Sequence, residues 1–390
     1  MDSQAADSQA APARDISRGE MPAKPSPSPD RTDRRGRRLA FRMLLGGGLL
    51  LALLAAGHAL VWRAMASQLQ DGFTAWAEAR RAQGWRVEHA APVPGGWPLS
   101  ATLTLPRFGL AGGGATLPGG MEWRAEALTL RVSLPRLGRL VVEMPGRHRL
   151  RLGEAEWPFA ADRLTAELPI ERDVPPREAV LEAERLRVGT AAGTVEALHA
   201  WLAVETRTTA IEGEPAISLH GEAETVQLPV PAGATPPLLA SLGRNLAMLR
   251  VDLALTGPVP PGRHPRLRAE AWRDGGGTLE LRGLDLQWGP VAATSTATMA
   301  LDETLQPMGA GTLRLTGATE ALDAAASAGL LTQGGAGTAR MVVGLLSRRP
   351  ADGGPPRLDV PLTLEGRMLT LARIPLARLA AWEWPLPPGE

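Results

Sequence analysis

The chain has 390 residues, 44% of them apolar, with 42 Lys and Arg against 41 Asp and Glu and no Cys. That length supports one large or two ordinary domains with a substantial core, and the absence of Cys excludes disulfides and thiolate metal sites. The net charge of +1 argues against a general nucleic-acid surface. Lys24 is the only Lys, so the Arg content reads as compositional bias and not as a phosphate-binding signal.

The charge is unevenly placed: residues 1–62 hold nine Lys/Arg and six Asp/Glu, and the remainder holds 33 and 35. Residues 1–38 are rich in Ser, Pro, Asp and Arg without apolar periodicity, and read as a disordered basic cytoplasmic tail. Residues 39–62 read as a transmembrane helix. Met43 to Trp62 contains no Asp, Glu, Lys or Arg, and twenty residues span about 30 Å, the hydrocarbon thickness of a bilayer. Arg31, Arg34, Arg35, Arg37, Arg38 and Arg42 precede it, which by the positive-inside rule leaves the bulk of the chain on the far side, with Trp62 at the far interface. A cleaved signal peptide ending near Ala64-Met65-Ala66 is the alternative; the apolar run is longer than such a leader requires. Residues 63–84 read as a stalk helix with Leu69, Phe73 and Trp76 on one face and Gly84 at its C-cap. Packing on its own domain is the expectation for that face.

Residues 85–390 read as a curved β domain, with a candidate sub-boundary near 250. A spacing of apolar-x-apolar-x-x-apolar-x-apolar recurs. It fits Trp123–Leu130, Phe159–Ala166, Leu181–Val188, Val195–Leu202, Gly221–Leu228, Leu364–Leu371 and, most clearly, Leu279, Leu281, Leu284, Leu286 and Trp288. Alternation of period two marks a strand with one apolar face. The two-residue interruption flips that face unless a bulge or tight turn restores the phase. Some sixteen such strands stack to roughly 75 Å if flat, at about 4.8 Å each. Turn signals fall at 94–97, 117–121, 173–176, 257–262, 273–278 and 352–356. Helical patterns are few: one near Pro237–Leu249, and a pair near 319–332 and 338–348 that should cap the sheet.

Chemistry-bearing constellations are scarce. The six His residues (58, 89, 148, 199, 220 and 264) lack metal-ligand spacing, and there is no HExxH, nucleophile elbow or phosphate loop. Acidic pairs at i, i+2 (Glu154/Glu156, Glu182/Glu184, Glu222/Glu224) fall on the wet face of their strands. Arg147, Arg149 and Arg151 share one strand face and form a candidate headgroup contact, against the simpler reading of a solvated face. No catalytic residue, cofactor or metal site is expected.

Three blocks occur in order: "GWRVEHAAPVPGGWPLSATLTLP", "WRAEALTLRVSLPRLGRLVVEMPGRHRL" and "WRDGGGTLELRGLDLQWGPVAATSTATMALDETLQPMGAGTLRLTG". In these the chain resembles the bacterial domain-of-unknown-function family 2125, which supplies no activity or catalytic residues to carry over. The strand-and-return units, including the closing "LEGRMLTLARIPLARLAAW", more loosely resemble AsmA-like envelope proteins. That resemblance implies a membrane-anchored, curved, mostly antiparallel sheet or open half-barrel, associated with lipid movement or envelope assembly. The expectation is therefore a non-enzymatic inner-membrane protein with a periplasmic β domain. Its partners would be phospholipid or other envelope proteins, with no nucleic acid. Leu279, Leu281, Leu284, Leu286 and Trp288 would line an apolar groove; a closed core without ligand, or a hydrolase, are the alternatives.

Overall fold

The structure, a computed structural model, describes residues 31–113, 120–170, 177–231, 233, 235–260, 264–329, 333–349 and 353–384. Residues 1–30 of the expected tail, and all or part of the turns expected at 117–121, 173–176, 257–262 and 352–356, lie outside them. The chain forms two units, Met1–His58 and Ala59–Glu390.

Helix α1 runs from Arg31 to Ala82. It begins inside the segment expected to lack structure, and the span and stalk expected as separate segments are one helix. The reason lies in composition: from Trp62 to Ala82 there is no Pro, and Gly72 is the only weak helix former of its kind. From Leu39 the helix carries an apolar stretch long enough to cross a membrane, none of it buried in the protein. It ends as expected at Gly84 (φ 86°), with the Trp85 N–H bonded to Arg80 O at 3.0 Å.

The rest is mainly β. The strands are β1 (Arg86–Glu88), β2 (Val93–Gly95), β3 (Ser100–Gly112), β4 (Met121–Ser133), β5 (Arg139–Glu143), β6 (Arg147–Leu152), β7 (Ala155–Ala160), β8 (Arg163–Pro169) and β9 (Glu178–Thr190). They continue with β10 (Gly193–Thr206), β11 (Pro215–Gln227), β12 (Asn245–Thr256), β13 (Leu279–Trp288), β14 (Val291–Leu301), β15 (Pro307–Thr316), β16 (Arg357–Glu365), β17 (Met368–Leu371) and β18 (Ile374–Arg378). The helices are α2 (Pro237–Leu242), α3 (Pro265–Asp274), α4 (Ala318–Ser327) and α5 (Gln333–Leu346).

All 18 strands among the described residues join one sheet. It is an antiparallel meander in which β1 with β2, β6 with β5, and β7 with β8 are interrupted single lines. By their residue pairings these lines reduce the described sheet to fifteen columns, from β1/β2 beside β3 to β18 beside β17.

The two-residue interruptions read from the sequence line up across neighbouring columns. Arg107 and Glu126 face each other between the pairs Pro106–Ala127 and Phe108–Ala125. The break between β5 and β6 falls at Met144–Gly146, and the break between β8 and β7 at Ala161–Asp162. Asp162 sits opposite the end of β9's first half, its N–H on Glu184 O at 3.0 Å. Arg185, Leu198, Thr225 and Ala247 then follow in β9, β10, β11 and β12, each skipped by the ladder opposite the next. Arg107, Arg185 and Thr225 have φ of 52°, 49° and 51°, a region that non-glycine residues seldom occupy. At β12 the line ends in an unmatched bulge, between Leu246 and Met248. The interruption of β13 is separate: Arg282 is an extra residue against both β12 and β14. That expected at 367–368 is a hairpin turn between β16 and β17, with Gly366 and Arg367 at φ 54° and 65°.

Three apolar clusters anchor the sheet. Phe73 and Ala77 of α1 pack on Val87, Leu103, Leu105, Phe108, Ala125, Leu128 and Met144, which is the expected packing of the stalk on its own domain. Trp76, expected on that face, is exposed and stacks on Phe73 at 5.9 Å; Ala77 takes the buried place. At the far end α4 and α5 cover Leu358 and Val360, and α2 with α4 covers Val291. The expected pair of capping helices is thus α4 and α5. The helix expected near Pro237–Leu249 stops at Gly243 (φ 84°), and its second half is the start of β12. Helix α3 was not expected; Pro265 in its first turn and Gly275 at its C-cap delimit it.

Deleting Arg282 should leave both flanking ladders continuous, because that residue is unmatched on either side. Deleting Arg185 keeps the leucines of β9 on one face but leaves Leu198 of β10 without its match, so the ladder between them must take up a new bulge. Circular dichroism melts should show a lower midpoint for the second deletion than for the first.

Candidate functional site

One face of the sheet is apolar across its columns except at β14, where Ser295 stands between Leu284 and Leu313. Its pairings run Leu105–Leu128 and Leu103–Leu130 between β3 and β4, then Leu130–Val142 and Val142–Ala166. They continue Ala166–Leu181, Leu181–Leu202 and Leu202–Gly221. Gly221 meets Val251, and Val251 meets Leu284. Beyond β14 the row passes from Leu313 to Val360. The alternation in each strand makes this stripe, and the shared line of interruptions keeps it on one side.

The five expected lining residues of β13 are on this face and in register with it. Leu279, Leu281, Leu284, Leu286 and Trp288 pair with Leu255, Leu253, Val251, Leu249 and Leu246 of β12. Trp288 joins the cluster under α2, and its Nε1 donates to Gly243 O at 2.9 Å. The four leucines belong to none of the three clusters and are partly exposed. So are Leu181, Leu202, Leu219, Leu249, Val251 and Leu253. Helices cover this face at both ends, and among the described residues no helix covers the apolar stretch of β9–β13 between them.

Arg147, Arg149 and Arg151 lie together on β6, exposed, on the opposite, polar face. Arg149 is 3.1 Å from Glu156, and Arg151 donates to Glu122 at 2.8 Å. The Arg151 guanidinium, helped by Arg124, holds the Glu122 carboxyl below its usual range against desolvation working the other way. Among the described residues no ion pair reaches Arg147. The two expected sets, cationic and apolar, are therefore not brought together: they occupy opposite faces, columns apart. One lipid cannot use both.

The polar face also gathers the acidic pairs. His199 is flanked in register by Glu184 and Glu224, and Trp201 by Glu182 and Glu222. With Arg163 they line a shallow cavity of about 380 Å³. Arg163 stands 3.6 Å from Glu184, and Arg250 is 2.9 Å from Glu222. The carboxylates are solvent-facing, as their alternation required. Among the described residues no group of three or more His, Asp and Glu has metal-binding geometry.

The spacing did not single out an aromatic row across the crease. Phe108, Trp123, His148 and Phe159 stand in consecutive columns. Phe108 meets Trp123 edge-on at 5.5 Å; His148 stacks on Trp123 at 6.2 Å and on Phe159 at 4.8 Å. His148 is 3% exposed. Its Nε2 is 3.0 Å from Met144 O, so the proton of the neutral ring sits on Nε2, since a carbonyl only accepts. His148 Nδ1 and Trp123 Nε1 are buried without a protein partner. The signal available was the same alternation that placed His148 with Leu150 and away from the arginines.

The family described as "Uncharacterized protein conserved in bacteria (DUF2125)" matches residues 62–380, nearly all of the second unit. No curated protein matches the chain.

Burial of His148 sets a pH dependence. Desolvation pushes its pKa below the ordinary 6.5, against the Met144 carbonyl and the charge of Glu126. The unfolded chain thus takes up a proton at higher pH than the folded one, so stability is full above the ordinary pKa and declines as pH falls below it. Denaturant titrations from pH 8 to 5 should show that decline, and His148→Phe should flatten it.

Proposed function

The chain belongs to this uncharacterised bacterial family, and from that premise we propose that it is a non-enzymatic, single-span envelope protein whose uncovered apolar face receives lipid acyl chains. The observation that carries this reading is the row of partly exposed leucines on β9–β13, continuous with covered apolar clusters on either side. A continuous row of half-buried apolar side chains across five strands suits an interaction surface. Its lining is aliphatic and nearly free of polar groups, which suits hydrocarbon better than a polar metabolite. The strand pattern that resembles AsmA-like proteins supports the same assignment.

In this reading α1 crosses the inner membrane. Arg31 to Arg42 lie on the cytoplasmic side, and the β domain lies in the periplasm. The arginine stripe of β6 serves the polar face, where carboxylates occupy two of its three members, and is not part of the acyl site.

Native mass spectrometry of Ala59–Glu390 tests the reading. Bound phospholipid is expected in the parent protein and not in a Leu253→Glu/Leu281→Glu/Leu284→Glu variant, while Arg147→Glu/Arg149→Glu/Arg151→Glu retains it. A clean apo mass for the parent would leave an interaction module without lipid.

Stability separates the same stretch from the core. Leu105 is 0% exposed, and its truncation to Ala should cost about 2–5 kcal/mol. Leu281→Ala should cost less than about 1.5 kcal/mol, since its side chain is only partly withdrawn from water. Equal losses in denaturant titrations would mean that the β13 leucines are core.

A further inference from the structure

The rim of the sheet that holds Trp62 has an apolar edge. We propose that this rim, from Trp97 to Ile170, rests in the interfacial layer of the membrane that α1 crosses; the proposal depends on α1 being a span. The uncharged run of α1 ends at Trp62, a residue type that collects at membrane–water interfaces. Trp62 is tied to the β domain at one place. Its Nε1 donates to Ser100 O at 2.8 Å, and its ring meets Trp97 edge-on at 5.6 Å. Both partners belong to the β2–β3 turn and its exit.

From that point large apolar side chains point to solvent along successive columns at the same end of the sheet. Trp97 is 53% exposed and Leu99 74%. The Leu134 N–H bonds Leu99 O at 3.3 Å, which joins the β4–β5 turn to the β2–β3 turn. That next turn exposes Leu134 and Leu137, at 40% and 47%. The Ile170 N–H in turn bonds Gly138 O at 2.8 Å, and Ile170 is 46% exposed. Isolated exposed leucines need no explanation, but a row that begins at the indole ending a membrane span does.

The charge at this edge fits a phosphate layer. Arg136, between Leu134 and Leu137, is exposed, and among the described residues no carboxylate pairs with it. At the opposite end of these columns the described turns, Gly153–Glu154 and Ala191–Ala192, carry no large apolar side chain, and the exposed apolar residue beside them is Leu152, at 37%. The asymmetry gives the occupant: the lipid interface adjoining the span, entered by the tips of the β2–β3 and β4–β5 turns, with Arg136 at headgroup level. This surface is distinct from the acyl-chain face, since it is an end of the sheet and not one of its sides.

The absence of Cys makes site-specific labelling direct. Leu50→Cys, Leu99→Cys, Leu137→Cys and Ala192→Cys variants of the full chain would each carry an environment-sensitive fluorophore. They would be placed in nanodiscs of phosphatidylethanolamine and phosphatidylglycerol, with and without spin-labelled lipid. Quenching severalfold greater at Leu99 and Leu137 than at Ala192, with Leu50 also quenched, is the expected result. Quenching at Leu50 with Leu99 and Leu137 no different from Ala192 overturns the rim and leaves the span. An unquenched Leu50 removes the span, and the rim with it.

Discussion

The fold depends on one geometric constraint: an interruption in a strand keeps its apolar residues on one face only if the neighbouring strands are interrupted opposite it or a bulge absorbs the extra residue, as at Arg282 of β13. Side-chain direction has period two, so an interruption that is neither matched nor bulged sends half a strand's leucines into water. From β1/β2 to β12 the chain meets this constraint column by column, with Arg107, Glu126, Asp162, Arg185, Leu198, Thr225 and Ala247 along one line. Backbone at positive φ costs of order 1–3 kcal/mol for a non-glycine residue. Arg185 and Thr225 hold it because ladders on both sides fix their neighbours. Where a strand could not continue through the line, it broke, as β5/β6 and β7/β8 do. Gly146 shows why: it sits at φ 85°, and a Cβ there would run into the Glu126 carboxylate.

How much of this was legible follows from the range of each interaction. The spacing of Leu181, Ala183, Leu186 and Val188 is local, so strand and interruption could be read directly. The matching of Arg185 to Leu198 belongs to two strands and becomes visible only once the meander is known. Leu103, Leu105, Phe108 and Leu110 carry the same signature, and Arg107 is its interruption. Short helices were harder. In Pro237–Leu249 the leucines satisfy a helical period, but Leu246, Leu249, Val251 and Leu253 also line one side of β12, and the ladder to β11 decides the second half. Burial of His148 rests on Trp123, Met144 and Phe159, contributed by other segments. Alternation could give its side of the sheet but not its depth.

The same pairing logic accounts for the arginines. The register sets Arg314 against Asp359 and Arg250 against Glu222, at 3.0 and 2.9 Å. Exposed pairs of this kind contribute little stability each, from about zero to 1 kcal/mol. Their larger consequence is electrostatic: a face with so many guanidiniums has almost no net field, because carboxylates stand opposite them. An Arg-rich strand such as β6 therefore offers phosphates a site already occupied by Glu122 and Glu156. Arg136 differs, standing at a turn outside the ladders.

A sheet of this width needs a second layer over its apolar face, and the described helices supply it only in part. The C-terminal half of α1 covers the columns near β3 and β4, and α2, α4 and α5 cover those from the end of β13 to β16. Each helix contributes a few side chains, such as Phe73 or Val343, and a single helix row covers only a few strands at a spacing of about 4.8 Å. The leucines of β9–β13 are left with hydrocarbon on one side and water on the other. Their alternation is as regular as that of the covered columns, so it is not a relaxed remnant of a polar surface. A strand under no demand to bury that face would gain solubility from Thr or Ser at Leu253 or Leu284. With leucine at these positions the domain carries an apolar face wider than its described helices cover.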